Sequence, residues 1–271
     1  MSKIITSLQN PLIKNIVLLS EKARERRQQG LFVAEGLIEL SMAFSSGLQA
    51  EQLLFDPQVT PTTAIDALLQ AAMVAPSEII EVNRTVMEKI AYRANVPNAV
   101  GVFLQPKKHL EYLELPLDPL LLILETVEKP GNLGAILRTA DAAGVDAVIL
   151  CDAQTDWYNP NVIRASLGAV FTLPVFTVPA PEALTWLRQN GIEVFVTHLE
   201  ASYPYDQCNF NQPAAIVMGT EADGITDFWV EVADQRVIIP MYGQVDSMNV
   251  SVSTGILLFE AVRQRRAAQS L

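Results

Sequence analysis

Cysteine and histidine are nearly missing from this chain: its 271 residues include two of each. Cys151 and Cys208 have no Cys or His neighbours at metal-ligand spacing, which argues against a zinc centre. Two unrelated thiols fit reduced cysteines in a cytoplasmic protein. His109 and His198 each fit a loop or a strand end better than a catalytic role. Long apolar runs are lacking too. The central one, Leu120 to Leu124, is far too short to span a bilayer. The opening "MSKIITSLQNPLIKN" lacks the continuous apolar segment of a signal peptide, so neither membrane nor export is expected. There is no internal repeat, no low-complexity tract and no G-x-G-x-x-G turn.

What is present is apolar: 50% of residues are hydrophobic and 18% charged, enough for sizeable cores. The net charge of −11 speaks against a polyanion partner, but it is unevenly spread. Residues 1–108 hold 11 Lys and Arg against 10 Asp and Glu, net +1, leaving 8 against 20, net −12, for residues 109–271. In "EKARERR" four cations, Lys22, Arg24, Arg26 and Arg27, fall within seven residues. A local field of this kind guides a polyanion better than the whole-chain charge does. The same cluster also reads as a solvated helix face paired to Glu21 and Glu25.

The pattern predicts two domains. "LQPKKHLEYLELPLDP" holds three prolines and coincides with the charge shift, so residues 109–119 read as a linker between 1–108 and 120–271. In the first part, "NPLIKNIVLLSEKARERRQQG" has helical apolar spacing ended by Gly30, and short strands and helices then alternate as in a small α/β domain. In the second, strands are predicted at 120–125, 147–150, 172–175, 193–197, 215–218 and 236–239. Helices are predicted at 133–143, 162–169, 181–189, 227–233 and 249–266. That alternation implies a parallel sheet, which binds ligands at the carboxyl ends of its strands.

Three such ends carry unusual residues. In "VEKPGNLGAILRTADAAGV", Asn132 reads as a helix cap behind a Gly131 turn, and Arg138 lies farther along the helix. A helix start with an arginine beside it suits a phosphate, although a plain cap with an Arg138–Asp141 ion pair explains the same letters. In "VMGTEADGI", Gly219 and Gly224 bracket Glu221 and Asp223, a close backbone approach for a ligand or simply a tight turn. In "IIPMYGQVDSMNVSVSTGILLFEAV", Asp246, Ser247, Asn249, Ser251 and Ser253 crowd one helix start where a single cap suffices. The excess points to a ligand or to close helix packing.

Taken together, in this order and spacing, the three stretches resemble the motifs of the SpoU (TrmH-like) branch of the SPOUT RNA methyltransferases over about residues 120–266. More weakly, "SLQNPLIKNIVLL" and "RRQQGLFVAEG" resemble the ribosomal-protein-like substrate-recognition domain that precedes the catalytic domain in many members. The resemblance implies an α/β fold with a parallel sheet and a C-terminal trefoil knot, and a homodimer. It implies transfer of a methyl group from S-adenosylmethionine to a ribose 2′-hydroxyl of RNA, ribosomal RNA before tRNA, with no DNA or membrane partner and no metal. Carried over by position, Arg138, Asn132, Glu221, Ser247 and Asn249 form the catalytic set. Met218, Gly219, Thr220, Ile239, Pro240, Met241 and Met248 hold the cofactor, and Lys22, Arg24, Arg26 and Arg27 meet RNA.

The chain departs from the family pattern mildly. Lys129-Pro130 stands for Asp-Pro, Thr220 for Asn or Ser, and Met248 for Leu, while "NVPNAVGVF" departs from the usual Pro-Gln-Gly. The last change bears on the RNA target. Two competitors are a catalytically silent RNA-binding protein of the same fold and a Rossmann-type oxidoreductase. Intact Arg138, Glu221 and Asn249 argue against the first, and the missing Gly fingerprint argues against the second.

Overall fold

Capping chemistry sets the first helix and, through it, one expected functional residue. The computed structural model describes residues 3–70, 72–92, 96–200, 202–219 and 224–269. The chain divides into two units, Met1–Lys107 with Asp156–Thr172, and Lys108–Thr155 with Leu173–Leu271. After strand β1 (Lys3–Ile5), the Asn10 side chain accepts from the Leu12 N–H at 2.9 Å and Pro11 opens helix α1 (Pro11–Glu21). Ile13, Ile16 and Leu19 recur at helical spacing and are buried. The helix predicted to run on to Gly30 is instead broken. Lys22 is extended at φ −119°, and α2 (Ala23–Gln29) ends at Gly30 with φ 65°.

The break has a physical reason. It lets Arg26 Nη1 donate to the Leu19 and Ser20 carbonyls at 2.6 and 3.2 Å, groups that the end of α1 leaves without helical partners. Arg26 Nε donates to Asp156 Oδ2 at 2.6 Å, and the arginine is 1% exposed. The expectation that Arg26 meets RNA is therefore corrected: its guanidinium is committed inside the fold. Lys22, Arg24 and Arg27 are exposed. Arg26→Met should lower unfolding free energy by about 3–5 kcal/mol, because it strands a partly buried carboxylate and two carbonyls. Equilibrium denaturation checks this, and a midpoint equal to the parent's would contradict it.

Strands β2 (Leu31–Glu35), β3 (Ala50–Phe55), β4 (Glu78–Val82) and β5 (Ala99–Leu104), with helices α3 (Leu37–Ser45), α4 (Thr62–Gln70) and α5 (Arg84–Ile90), complete the first unit's own part. Its sheet runs β1-β4-β3-β5-β2, with β5 antiparallel to both neighbours. Residues 156–172 belong to this unit, which differs from the single block expected over 120–271. Phe32 of β2 stacks on Tyr158 and Phe171 with centroids 4.4 and 5.4 Å apart. Such stacking adds to the area both rings bury.

The second unit holds β6 (Leu120–Glu125), α6 (Pro130–Ala143) and β7 (Ala147–Cys151). The chain then supplies α7 (Pro160–Ala165) and α8 (Ala169–Thr172) to the first unit and returns in β8 (Val175–Val178). The predicted strand at 172–175 is thus displaced. Pro174 cannot donate to a ladder, and it meets β7 only through its carbonyl, which accepts from Val148 N at 2.9 Å. Next come α9 (Ala180–Gln189), β9 (Glu193–Thr197), β10 (Tyr203–Pro204), β11 (Ala214–Met218), α10 (Asp227–Val232), β12 (Gln235–Ile238) and α11 (Val250–Gln269). All pairings are parallel, in the order β10-β12-β9-β11-β6-β7-β8.

Every residue of β6 is buried, as in a strand covered on both faces. Leu110, inside the expected linker, is buried in this unit's core. α11 lies close to α6: a Cβ added to Gly255 would sit 3.4 Å from Thr139 Cγ2. Its far end is fastened by Arg265, which donates to the carbonyls of Asp118, Pro119, Phe210 and Gln212 at 2.6 to 3.1 Å. Among the described residues no helix is long and apolar enough to cross a membrane.

Candidate active site

The sheet order brings the carboxyl ends of β9, β11 and β12 side by side, and they open on a cavity of about 630 Å³. This is where a parallel sheet places its ligand. Of the residues expected at the cofactor, Met218, Gly219, Ile239, Met241 and Met248 line it, and so does Ser247 from the catalytic set. Pro240 is not part of the lining. Thr220 and Glu221 lie outside the described residues. The sequence reading missed the β9 side, where Thr197, His198 and Glu200 form a wall. The signal was there in the parallel-sheet pattern, but it needs the strand order: β9 lies between β11 and β12.

The wall at β11 is backbone against backbone. A Cβ on Gly219 would stand 2.2 Å from the Gly224 carbonyl oxygen and 2.6 Å from Ile225 N. No side chain fits there, and Gly224 itself holds φ 70°. The cavity's carboxylates, Glu200 and Asp246, suit a ligand with cationic character, and its methionine and isoleucine side chains suit a flat apolar ring. A cradle of close-set backbone with such a lining fits a nucleoside carrying a positive centre, as S-adenosylmethionine is.

The opening loop differs from expectation in detail. α6 starts at Pro130, capped by extended Lys129, so Asn132 sits in the first turn rather than at the cap. Gly131 is not among the described glycines of positive φ. Arg138 is exposed and its side chain makes no hydrogen bond or ion pair with any described residue, so the expected pair with Asp141 is not formed. By helical spacing Gly134 and Ala135 lie one turn before it, on the side toward which long helical side chains lean. Asn249 accepts from Ser251 N at 3.0 Å as the cap of α11, and its Nδ2 donates to Asn132 Oδ1 at 3.3 Å. The first and third motifs therefore meet through two asparagine side chains. Ser251 bonds to Asn249 and Ser253 lines the cavity, so the serine excess is divided between the helix start and the cavity wall.

Cys151 ends β7 next to Glu125 of β6. Burial, aided by Asp152 and Glu125, pushes its thiol up to about 12, so it remains protonated at neutral pH and offers no nucleophile.

The SpoU rRNA Methylase family model matches residues 119–259, and an MRM3-like substrate binding domain model matches residues 10–101. The chain is 30% identical over 259 residues to the 23S rRNA (guanosine(2553)-2′-O)-methyltransferase RlmP of Bacillus subtilis, covering 95% of this chain and 98% of that protein. An AdoMet-bound rRNA methyltransferase from Sinorhizobium meliloti superposes with a TM-score of 0.86 at 33% identity, over 97% of this chain and 98% of that one. AviRb from Streptomyces viridochromogenes in complex with AdoMet gives 0.87 at 28% identity, over 96% and 99%. A parallel sheet with a backbone-built cavity, its motifs joined at two asparagines, and this likeness along nearly the whole length place the chain in the SpoU rRNA methylase family.

Proposed function

We propose that this protein methylates a ribose 2′-hydroxyl of ribosomal RNA, with S-adenosylmethionine as methyl donor. The observation that carries the reading is the backbone-walled cavity beside the Asn132–Asn249 junction, with Arg138, exposed and without a side-chain partner among the described residues, on the adjoining helix. Bound there, S-adenosylmethionine supplies an electrophilic methyl group. The chain's own task is then alignment and charge stabilisation. Met218, Gly219, Ile239, Met241 and Met248 hold the adenosine part. Asn249 shapes the pocket, and Ser247 and Asn132 stand near the reacting groups.

Arg138 holds the phosphate next to the target ribose and stabilises negative charge developing on the 2′-oxygen. A guanidinium with a pKa above about 12 is a poor base, so the proton leaves to water or a phosphate oxygen. A 2′-hydroxyl acceptor selects RNA over DNA. Relatives that match over most of both chains are named for 23S rRNA, which favours rRNA over tRNA and a cytoplasmic site of action. Transfer of labelled methyl groups to 23S rRNA, mapped to a ribose, tests the reading. Methylation of tRNA alone, or of a base, would overturn it.

The first unit is the RNA-recognition part in this reading. Replacing Lys22, Arg24 and Arg27 by Gln should weaken RNA binding and lower the slope of log K against log salt by roughly 0.7–0.9 per lost phosphate contact. Cofactor affinity should stay as it was. An unchanged slope would make these residues a solvated face. The second unit is proposed to form the trefoil knot of the SPOUT fold and to dimerise. Val252 and Phe259 are 52% and 49% exposed on α11, apolar surface suited to a second copy. Light scattering should give twice the chain mass at micromolar concentration, and a fully active monomer would refute the dimer.

A further inference from the structure

Glu125, the last residue of β6, is 3% exposed, and both its carboxylate oxygens are taken by one residue 101 positions later. Oε2 accepts the Thr226 N–H at 2.9 Å and Oε1 accepts the Thr226 hydroxyl at 2.7 Å. The register explains the meeting. Met218 pairs with Leu124, so the chain leaves β11 at Gly219 next to Glu125. It comes back through Gly224 and Ile225, which line the cavity, and is pinned at Thr226. The contact of Gly219 with the Gly224 carbonyl, which shapes the cradle, is closed by this grip.

On its other side, Glu125 pairs with Cys151, whose carbonyl accepts from Thr126 N at 3.1 Å. Thr126 is β-branched yet holds φ 49°, a conformation that persists only where its surroundings impose it. Two residues on, the Glu128 carbonyl accepts from the Thr155 hydroxyl, just before Lys129 caps α6. One buried side chain thus stands between the cofactor wall and the turn that aims Asn132 and Arg138.

We propose that Glu125 is a positioning residue for methyl transfer: its two-point grip on Thr226 fixes the cofactor wall to the strand end that launches the RNA-facing helix. The cofactor half of this rests on the cavity, and the RNA half rests on the function proposed above. Glu125→Gln turns an amide N–H toward one of the Thr226 donors. Thr226→Val keeps the shape of an exposed side chain and removes only the hydroxyl donor. The readouts are S-adenosylmethionine Kd by calorimetry without RNA, the single-turnover rate at saturating cofactor and RNA, and the melting temperature.

Each variant should raise Kd about tenfold and lower the saturating rate. The double variant should be no worse than the poorer single one, since both break the same contact. Thr226→Ser should restore the parent's values. A Kd and saturating rate within twofold of the parent in folded variants would overturn the proposal, as would fully additive effects in the double variant. If Glu125→Gln does not fold, Thr226→Val with its Ser rescue decides the matter alone. A parent protein that fails to bind S-adenosylmethionine would overturn the cofactor reading itself, an outcome visible before any variant is made.

Discussion

Arg138→Ala should slow single-turnover methyl transfer by about a hundred- to a thousandfold and leave S-adenosylmethionine affinity unchanged. The expectation follows from where the side chain is. Arg138 is outside the cavity lining, so its loss removes no cofactor contact. It is exposed and has no partner among the described residues, so its loss should also cost little stability. In the proposed reading its partner is RNA. A positioned guanidinium that meets charge appearing in the transition state acts on the chemical step, whereas one that merely binds phosphate acts on RNA affinity. Lysine at the same place restores a point charge without the planar fork, so Arg138→Lys should recover RNA binding more than rate. A wild-type rate for Arg138→Ala at saturating RNA would remove it from the reaction.

Gly219→Ala should abolish measurable cofactor binding, a loss of more than a hundredfold. The added methyl would stand 2.2 Å from the Gly224 carbonyl oxygen and 2.4 Å from its carbon. Both are main-chain atoms, so no rotamer change relieves the overlap and the two segments forming the wall must separate. Gly224→Ala is the matched control. A Cβ there meets nothing within 4 Å, and the cost is that of φ 70° alone, about 1–2 kcal/mol. Calorimetry with S-adenosylmethionine on folded variants separates the two. Equal losses at both positions would mean that turn conformation, rather than backbone contact, builds the cradle.

How far the site could be read from the sequence depended on the range of the interaction. β6 and β9 have the predicted bounds because strands buried on both faces read as apolar runs. In the cavity wall, Gly219 and Ser247 stand out as glycine and polar residues at strand ends, whereas Met218, Ile239, Met241 and Met248 come only with the family resemblance. The start of α6 was placed late, since Asn132 looked like a cap while Pro130 at the first helical position was the stronger signal. Arg26 was misread because its partner Asp156 is 130 residues away, and a cation in a charged run looks the same whether it faces water or a carboxylate. The β9 wall and the Glu125–Thr226 grip depend on strand order and register, which local pattern does not carry.

The placement of residues 156–172 bears on how such proteins can exchange parts. The first unit is encoded in two pieces, the second of which falls between β7 and β8 in the chain order. A chimera that trades only residues 1–107 for those of a relative would set foreign surface against Tyr158 and Phe171 and leave Asp156 without Arg26. If the first unit reads the RNA, as proposed, target preference is inherited as a split cassette. New RNA specificity grafted onto this catalytic half must bring both segments, and substitutions at Phe32 and Arg26 constrain what the 156–172 segment can become.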